Sequence, residues 1–249
     1  MIINMNIWQE TVQVRVADVD KTEQLMVSAA FDMFQNTAVK HAEDLHLGKI
    51  DMEKSGLTWV LSRISVFIER RPIFKDHVTI KTWPRGSQKI FAVRDYDMLD
   101  ANGKSIARGR SGWLIVDLNI RRPQRPEAIV SQIPQNEGLN ALDYSFESLD
   151  SPTDLTKFGE RRAAYTDIDY AGHVNNARYV QWIQDIMEPE LLYNARQFRL
   201  DINYLSEILP GDNVELWSGQ AGRPQTIAVE GRKIIDGQAA FRSELWLGN

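Results

Sequence analysis

The segment Ser62–Trp83, SRISVFIERRPIFKDHVTIKTW, and the segment Phe198–Trp217, FRLDINYLSEILPGDNVELW, follow one plan. Each has an alternating strand, an apolar-rich turn, and an Asp just before the next strand. The likeness extends outward, since DANGKSIARGRSGWL (100–114) parallels IIDGQAAFRSELWL (234–247). Upstream of the first segment, Val12, Val14 and Val16 alternate in a strand over Ile7–Val16. A long helix over Ser28–Leu45 follows, with Ala30, Phe34, Ala38, His41 and Leu45 on one face, Ala29, Met33 and Thr37 alongside, and Ser28 as its cap. Strands are expected at Trp59–Glu69, His77–Trp83, Lys89–Leu99 and Ser105–Asp117. The second half repeats this order: a strand at Arg161–Thr166, a helix over Asn175–Tyr193 (Val180, Ile183, Met187, Leu191), then strands at Phe198–Leu205, Asn213–Gly219, Gln225–Ile235 and Gln238–Leu247. Between the halves, Arg121–Thr156 carries Pro123, Pro126, Pro134 and Pro152 with little periodicity and reads as a linker. The chain is therefore expected to be α+β, two copies of one unit at 1–120 and 157–249 joined by 121–156. In each copy one helix covers one face of an antiparallel sheet, and the two sheets pair edge to edge.

Composition narrows the function. With 249 residues, 29 Lys plus Arg against 34 Asp plus Glu, and a net charge of −5, the chain is unsuited to sequence-independent binding of nucleic acid or an anionic membrane. No apolar run reaches membrane-span length, and the opening MIINMNIWQE lacks the basic start and apolar stretch of a signal peptide, so a cytoplasmic protein is expected. The absence of cysteine excludes disulfides, thiolate metal sites and thiol nucleophiles. Gly109-Arg-Ser111-Gly112-Trp113 misses a serine nucleophile elbow because Trp113 stands where the last Gly belongs. No phosphate-cradling glycine motif is present, and His41 with Asp44 lacks a third ligand, so neither a cofactor nor a metal is expected.

The dense spot is Tyr165–Tyr179, YTDIDYAGHVNNARY, which joins a strand to the second helix. Asp167 or Asp169 can orient His173, and backbone amides at the helix start can hold an oxyanion. The same residues also suit a helix cap with a His packed at the turn. The first copy separates the two readings, because its equivalent turn around Asp18 and Asp20 keeps the acids and has no His. Glu207 alone reads as a solvated edge residue; beside the helix start it becomes a base that activates water. Trp8, Trp59, Trp83, Trp113, Trp182, Trp217 and Trp246 serve as core or as acyl-tunnel walls.

The run DIDYAGHVNNARYVQWIQD (167–185), followed by INYLSEILPGD (202–212), resembles the acyl-acyl carrier protein thioesterases of plants and bacteria, and the resemblance spans nearly the whole chain. It implies a tandem, or double, hotdog fold, in which each long helix is wrapped by an antiparallel sheet. It also implies hydrolysis of fatty acyl thioesters on acyl carrier protein, without a cofactor. By position, the resemblance makes Asp169, His173 and Glu207 catalytic, with Glu207 the general base, and matches Asn175 and Asn176 to the family's paired Asn. The expected oxyanion and substrate contacts lie at Gly172, Val174, Asn175 and Asn176. Two departures stand out: Ala171 replaces the family's Asn two residues before the His, and Ile208 replaces the Cys after the Glu. The rival expectations are an acyl-CoA thioesterase and a noncatalytic acyl-binding hotdog protein. A hotdog dehydratase fits less well, because His173 precedes the helix. Arg121, Arg122 and Arg125, or Arg161 and Arg162, are the candidate docking residues for an acidic carrier. A homodimer is also left open, since a fused pair already satisfies the usual hotdog pairing internally.

Overall fold

The computed structural model describes residues 7–133, 135–136, 138–144, 146 and 148–248. The first half consists of β1 (Trp8–Gln13), α1 (Val27–Asp44), α2 (Lys49–Lys54), β2 (Leu57–Ile68), β3 (His77–Gln88), β4 (Phe91–Leu99) and β5 (Ser105–Asp117). The connecting stretch holds β6 (Arg122–Gln124) and α3 (Glu127–Val130). The second half is β7 (Thr156–Arg162), α4 (Asn176–Asp185), α5 (Pro189–Asn194), β8 (Gln197–Tyr204), β9 (Asn213–Gln220), β10 (Thr226–Lys233) and β11 (Ala239–Gly248).

The strands form one sheet in the order β1-β3-β4-β5-β2-β8-β11-β10-β9-β7, with β6 on the end of β5. Read from its two ends, the sheet gives the same sequence of strands twice, which is the internal repeat expressed as topology. The halves meet where β2 pairs antiparallel with β8, so the two expected sheets are one continuous surface. Ile64 opposite Ile202, Val66 opposite Leu200 and Ile68 opposite Phe198 line the inner side of this seam, each at most 5% exposed. Burying side chains of this size contributes about 1.5–3 kcal/mol apiece.

The two helices lie antiparallel on the inner face. Ser28 N donates to Gln184 Oε1 at 2.9 Å, and Asn176 Nδ2 to Gln35 Oε1 at 3.3 Å. α1 turns Ala30, Phe34, Ala38 and His41 to the sheet as the spacing predicts. Phe34 stacks on Tyr96 at 5.0 Å between ring centres, and Gly109 leaves room for its ring.

Four expectations need correction. Met26, not Ser28, occupies the α1 cap position, and Ser28 lies inside the buried first turn. The second helix is not continuous to Tyr193: it ends at Asp185, and α5 restarts at Pro189. Proline forces the preceding Glu188 to extended backbone (ψ 120°), which a continuous helix excludes. The strand expected at Arg161–Thr166 runs instead over Thr156–Arg162, and Tyr165–Asp167 forms a 3₁₀ turn closed by Ala164 N donating to Asp167 Oδ2 at 2.8 Å. The proline-rich connection is also structured in part. It crosses the outer face of the first half, where Ala141 N donates to Asp95 Oδ2 at 2.8 Å, Trp83 Nε1 donates to Leu139 O at 3.0 Å, and the Phe146 ring fills the space over Gly112. Of the tryptophans, Trp83 and Trp182 are core residues.

Candidate active site

His173 is presented by a tight turn. Gly172 N donates to Asp169 O at 3.0 Å, Asp169 N to His173 O at 3.0 Å, and Ala171 N to the Asp169 carboxylate at 2.8 Å. The turn places Gly172 at φ 87°, a left-handed conformation that glycine adopts without penalty. Asn175 then caps α4, its Oδ1 accepting from Ala177 N at 2.8 Å.

The loop after β8 is pinned beside this turn by Val174 N donating to Ile208 O (3.0 Å) and Gly211 N donating to Ala163 O (2.9 Å). That pinning sets Glu207 Oε2 3.3 Å from His173 Nε2. Glu207 is 47% and His173 35% exposed at the side chain, so water reaches both. Residues 34 positions apart in sequence are thus joined as the base reading of Glu207 requires.

Not every expected contact forms. Among the described residues the Asp169 carboxylate makes no hydrogen bond to the His173 imidazole; it acts on the turn, through Ala171 N. Three of the expected amide oxyanion donors are occupied: Gly172 N by Asp169 O, Val174 N by Ile208 O, and Asn175 N by Asp167 O, whereas the backbone N–H groups of His173 and Asn176 have no partner among the described residues. A further donor at the helix start is the side-chain amide of Asn175, whose Nδ2 has no partner among the described residues. Asn176 turns the other way, its Nδ2 on Gln35, and borders a crevice walled by Phe31, Leu61, Ile64, Tyr96 and Trp113 of the first half. The crevice has a free volume of about 10 Å³, room for at most one water, so an acyl chain must part its walls. A wider cleft of about 630 Å³, lined by Arg108, Tyr144, Arg199 and Arg223, lies on the outer face of the sheet, away from His173.

Sequence reading passed over Tyr179 because an aromatic on the buried face of a helix reads as core. It is 4% exposed; burial pushes its phenol well up, a hydrogen bond with the Ile208 backbone works the other way, and the Glu207 and Asp169 charges push it further up. Tyr204 Oη donates to Asn176 O at 3.0 Å and ties β8 to the helix start.

The pseudo-equivalent turn of the first half has the same backbone. Leu25 N donates to Pro72 O as Val174 N does to Ile208 O, and Lys75 N to Val14 O as Gly211 N does to Ala163 O. Gln24 stands for His173, Asp20 for Asp169 and Arg71 for Glu207. Here Arg71 Nη1 bonds Asp20 Oδ2 at 2.6 Å, with the two side chains 2% and 12% exposed. One copy of the turn became a buried ion pair, and the other kept an open His–Glu pair.

The acyl-ACP thioesterase N-terminal domain matches residues 5–133, and the acyl-ACP thioesterase C-terminal domain matches residues 151–243. The chain belongs to the acyl-ACP thioesterase family. Among curated relatives, this family member is 26% identical over 224 residues to a chloroplastic palmitoyl-acyl carrier protein thioesterase of Cuphea hookeriana, covering 81% of this chain and 52% of the relative. It is 25% identical to a chloroplastic oleoyl-acyl carrier protein thioesterase of Arabidopsis thaliana, covering 84% and 61%. The chain thus spans little more than half the length of these relatives. An acyl-ACP thioesterase from Bacteroides thetaiotaomicron superposes with a TM-score of 0.85 at 26% identity, covering 96% of this chain and 97% of that one. A 12:0-ACP thioesterase from Umbellularia californica superposes with a TM-score of 0.81 at 21% identity, covering 96% of each. These likenesses establish the double hotdog fold. No helix among the described residues is long and apolar enough to cross a membrane.

Proposed function

We propose that this thioesterase-family chain is a cytoplasmic hydrolase of fatty acyl thioesters carried on acyl carrier protein. Glu207, assisted by His173, removes a proton from water, and the resulting hydroxide adds to the thioester carbonyl. The tetrahedral intermediate collapses with cleavage of the C–S bond. The pantetheine thiolate needs little acid assistance, because a free thiol has a pKa of about 8.5. The observation that carries this reading is the 3.3 Å His173–Glu207 contact, open to water, at the start of a helix whose next residue, Asn176, borders the crevice. Asp169 shapes the turn that presents His173, and the Asn175 side-chain amide is placed to polarise the carbonyl. No covalent nucleophile is needed, in keeping with the absence of cysteine.

Residues 1–120 and 157–249 are read as the two hotdog domains, with 121–156 as their connection. For an acidic carrier, the exposed Arg161 and Arg162 at the end of β7 are favoured over Arg121, Arg122 and Arg125. β7 leads directly into Ala163, which bonds the Glu207 loop, and Arg162 has no ion-pair partner among the described residues. The mass in solution distinguishes a monomer from a homodimer. The test of the function is thiol release from a length series of acyl-carrier thioesters by wild type, Glu207→Ala and His173→Ala. The expected result is a length optimum in wild type and a loss of about 10²-fold or more in each variant. Wild-type turnover in both variants would overturn the mechanism, and binding without hydrolysis would make the chain an acyl-binding protein.

A further inference from the structure

The crevice is lined mainly by apolar atoms, but a polar cluster lies directly behind the part of its wall formed by Tyr96 and Trp113. Tyr96 and Trp113 line the crevice, and their polar atoms converge on Ser111. Trp113 Nε1 donates to Ser111 Oγ at 2.8 Å, and Tyr96 Oη lies 3.0 Å from the same oxygen. Tyr96 is 1% and Ser111 0% exposed. The three groups carry one N–H and two O–H protons for two hydrogen bonds. Whichever hydroxyl donates to the other, one hydroxyl proton in this buried cluster has no acceptor among the described residues.

Arg94 adds to the surplus. It is the next inward residue along β4 from Tyr96 and stands directly opposite Ser111 on β5. Its Nη1 donates to Thr82 Oγ1 at 3.2 Å and lies 2.9 Å from His41 Nδ1, and no carboxylate pairs with it among the described residues. A guanidinium has five N–H donors, and among the described residues only Nη1 has protein partners; the other Arg94 nitrogens are not fully buried. Burial pushes the Tyr96 phenol up and so keeps it a donor. Donors therefore outnumber acceptors in this cluster among the described residues, and a buried hydroxyl left unmet costs about 1–3 kcal/mol. A methylene chain leaves that cost in place, whereas a ligand oxygen removes it.

We propose that the acyl group taken by this site carries an oxygen substituent, a hydroxyl or a keto oxygen along its chain, which seats against Ser111, Tyr96 and Arg94. The inference rests on the thioesterase reading for its chemistry and on the crevice for its specificity. The experiment compares kcat/KM for acyl-carrier thioesters of one chain length, one unsubstituted and the others with a hydroxyl at successive carbons. Isothermal titration of the corresponding free acids runs alongside. In wild type, one hydroxy isomer is expected to exceed the unsubstituted chain about tenfold or more, the effect of one buried hydrogen bond of about 1.4 kcal/mol. Tyr96→Phe and Ser111→Ala, both nearly isosteric, are each expected to bring that ratio close to one. An unsubstituted chain cleaved as fast as every hydroxy isomer overturns the inference and leaves the hydrolase reading standing; so does a preference that survives in both variants. Preferential binding of a hydroxy acid with no thioester hydrolysed does the reverse, supporting the polar cluster and overturning hydrolysis.

Discussion

Removing the Asp20 carboxylate isolates the structural half of the pseudo-twofold pair. In the Asp20→Ala protein, Arg71 stays buried at 2% exposure, keeping only the Leu192 and Tyr193 carbonyls at 3.3 and 3.4 Å. Stranding one member of a buried ion pair costs about 3–5 kcal/mol, a large share of the 5–15 kcal/mol that holds a domain together. Urea unfolding followed by tryptophan fluorescence gives the difference from the midpoint shift at constant slope. Asp20→Ala combined with Arg71→Met should recover much of the loss, since an apolar replacement of both partners is often neutral. The equivalent change on the open side, Glu207→Ala, removes an exposed partner and should shift stability by no more than about 0.5 kcal/mol while stopping turnover. The pH dependence gives a second check. Burial raises the Asp20 carboxyl, but hydrogen bonds from Thr22 and Arg71 outweigh it and leave the group below its ordinary value. The contribution is therefore complete above about pH 4 and is lost as pH falls through the lowered folded value, and Asp20→Asn should flatten this acid limb. A loss below about 1 kcal/mol for Asp20→Ala, or an equal loss for Glu207→Ala, would refute the division into a structural copy and a chemical copy.

Gly231→Ala should destabilise by about 1–3 kcal/mol or more, because an added Cβ meets the fully buried Phe241 ring at 2.1 Å and the ring has no space to retreat; a thermal melt checks this. Burial, with the Arg94 charge adding to it, pushes the His41 imidazole down to about 3. Its ring resonances in NMR should stay constant from about pH 8 to about pH 4. Since the unfolded imidazole titrates near 6.5, His41 also lowers stability progressively as pH falls from about 6.5 towards 3.

The sequence by itself determined the repeat, the helix–sheet alternation and the residues worth testing. Alternation in Val66 and Leu200, the 3.6-residue face of α1 and the Asp before β3 and β9 are local signals, written wherever backbone period and burial coincide. The site was legible because His173 and Asn175 sit in one turn whose first-half counterpart, with Gln24 and Met26, lacks both. The break at Pro189 was legible too, and an apolar spacing that continued to Leu191 obscured it.

Other features were decided only when the chain closed on itself. Which amides at the α4 start are free depends on carbonyls of Asp167 and Ile208 that spacing does not locate. The pairing of Glu207 with His173, the conversion of its mate into the Asp20–Arg71 pair, and the donor-rich cluster at Ser111 all join residues far apart in the chain. Such contacts depend on strand register and on the angle at which a helix crosses its sheet, and no local pattern of residues encodes either.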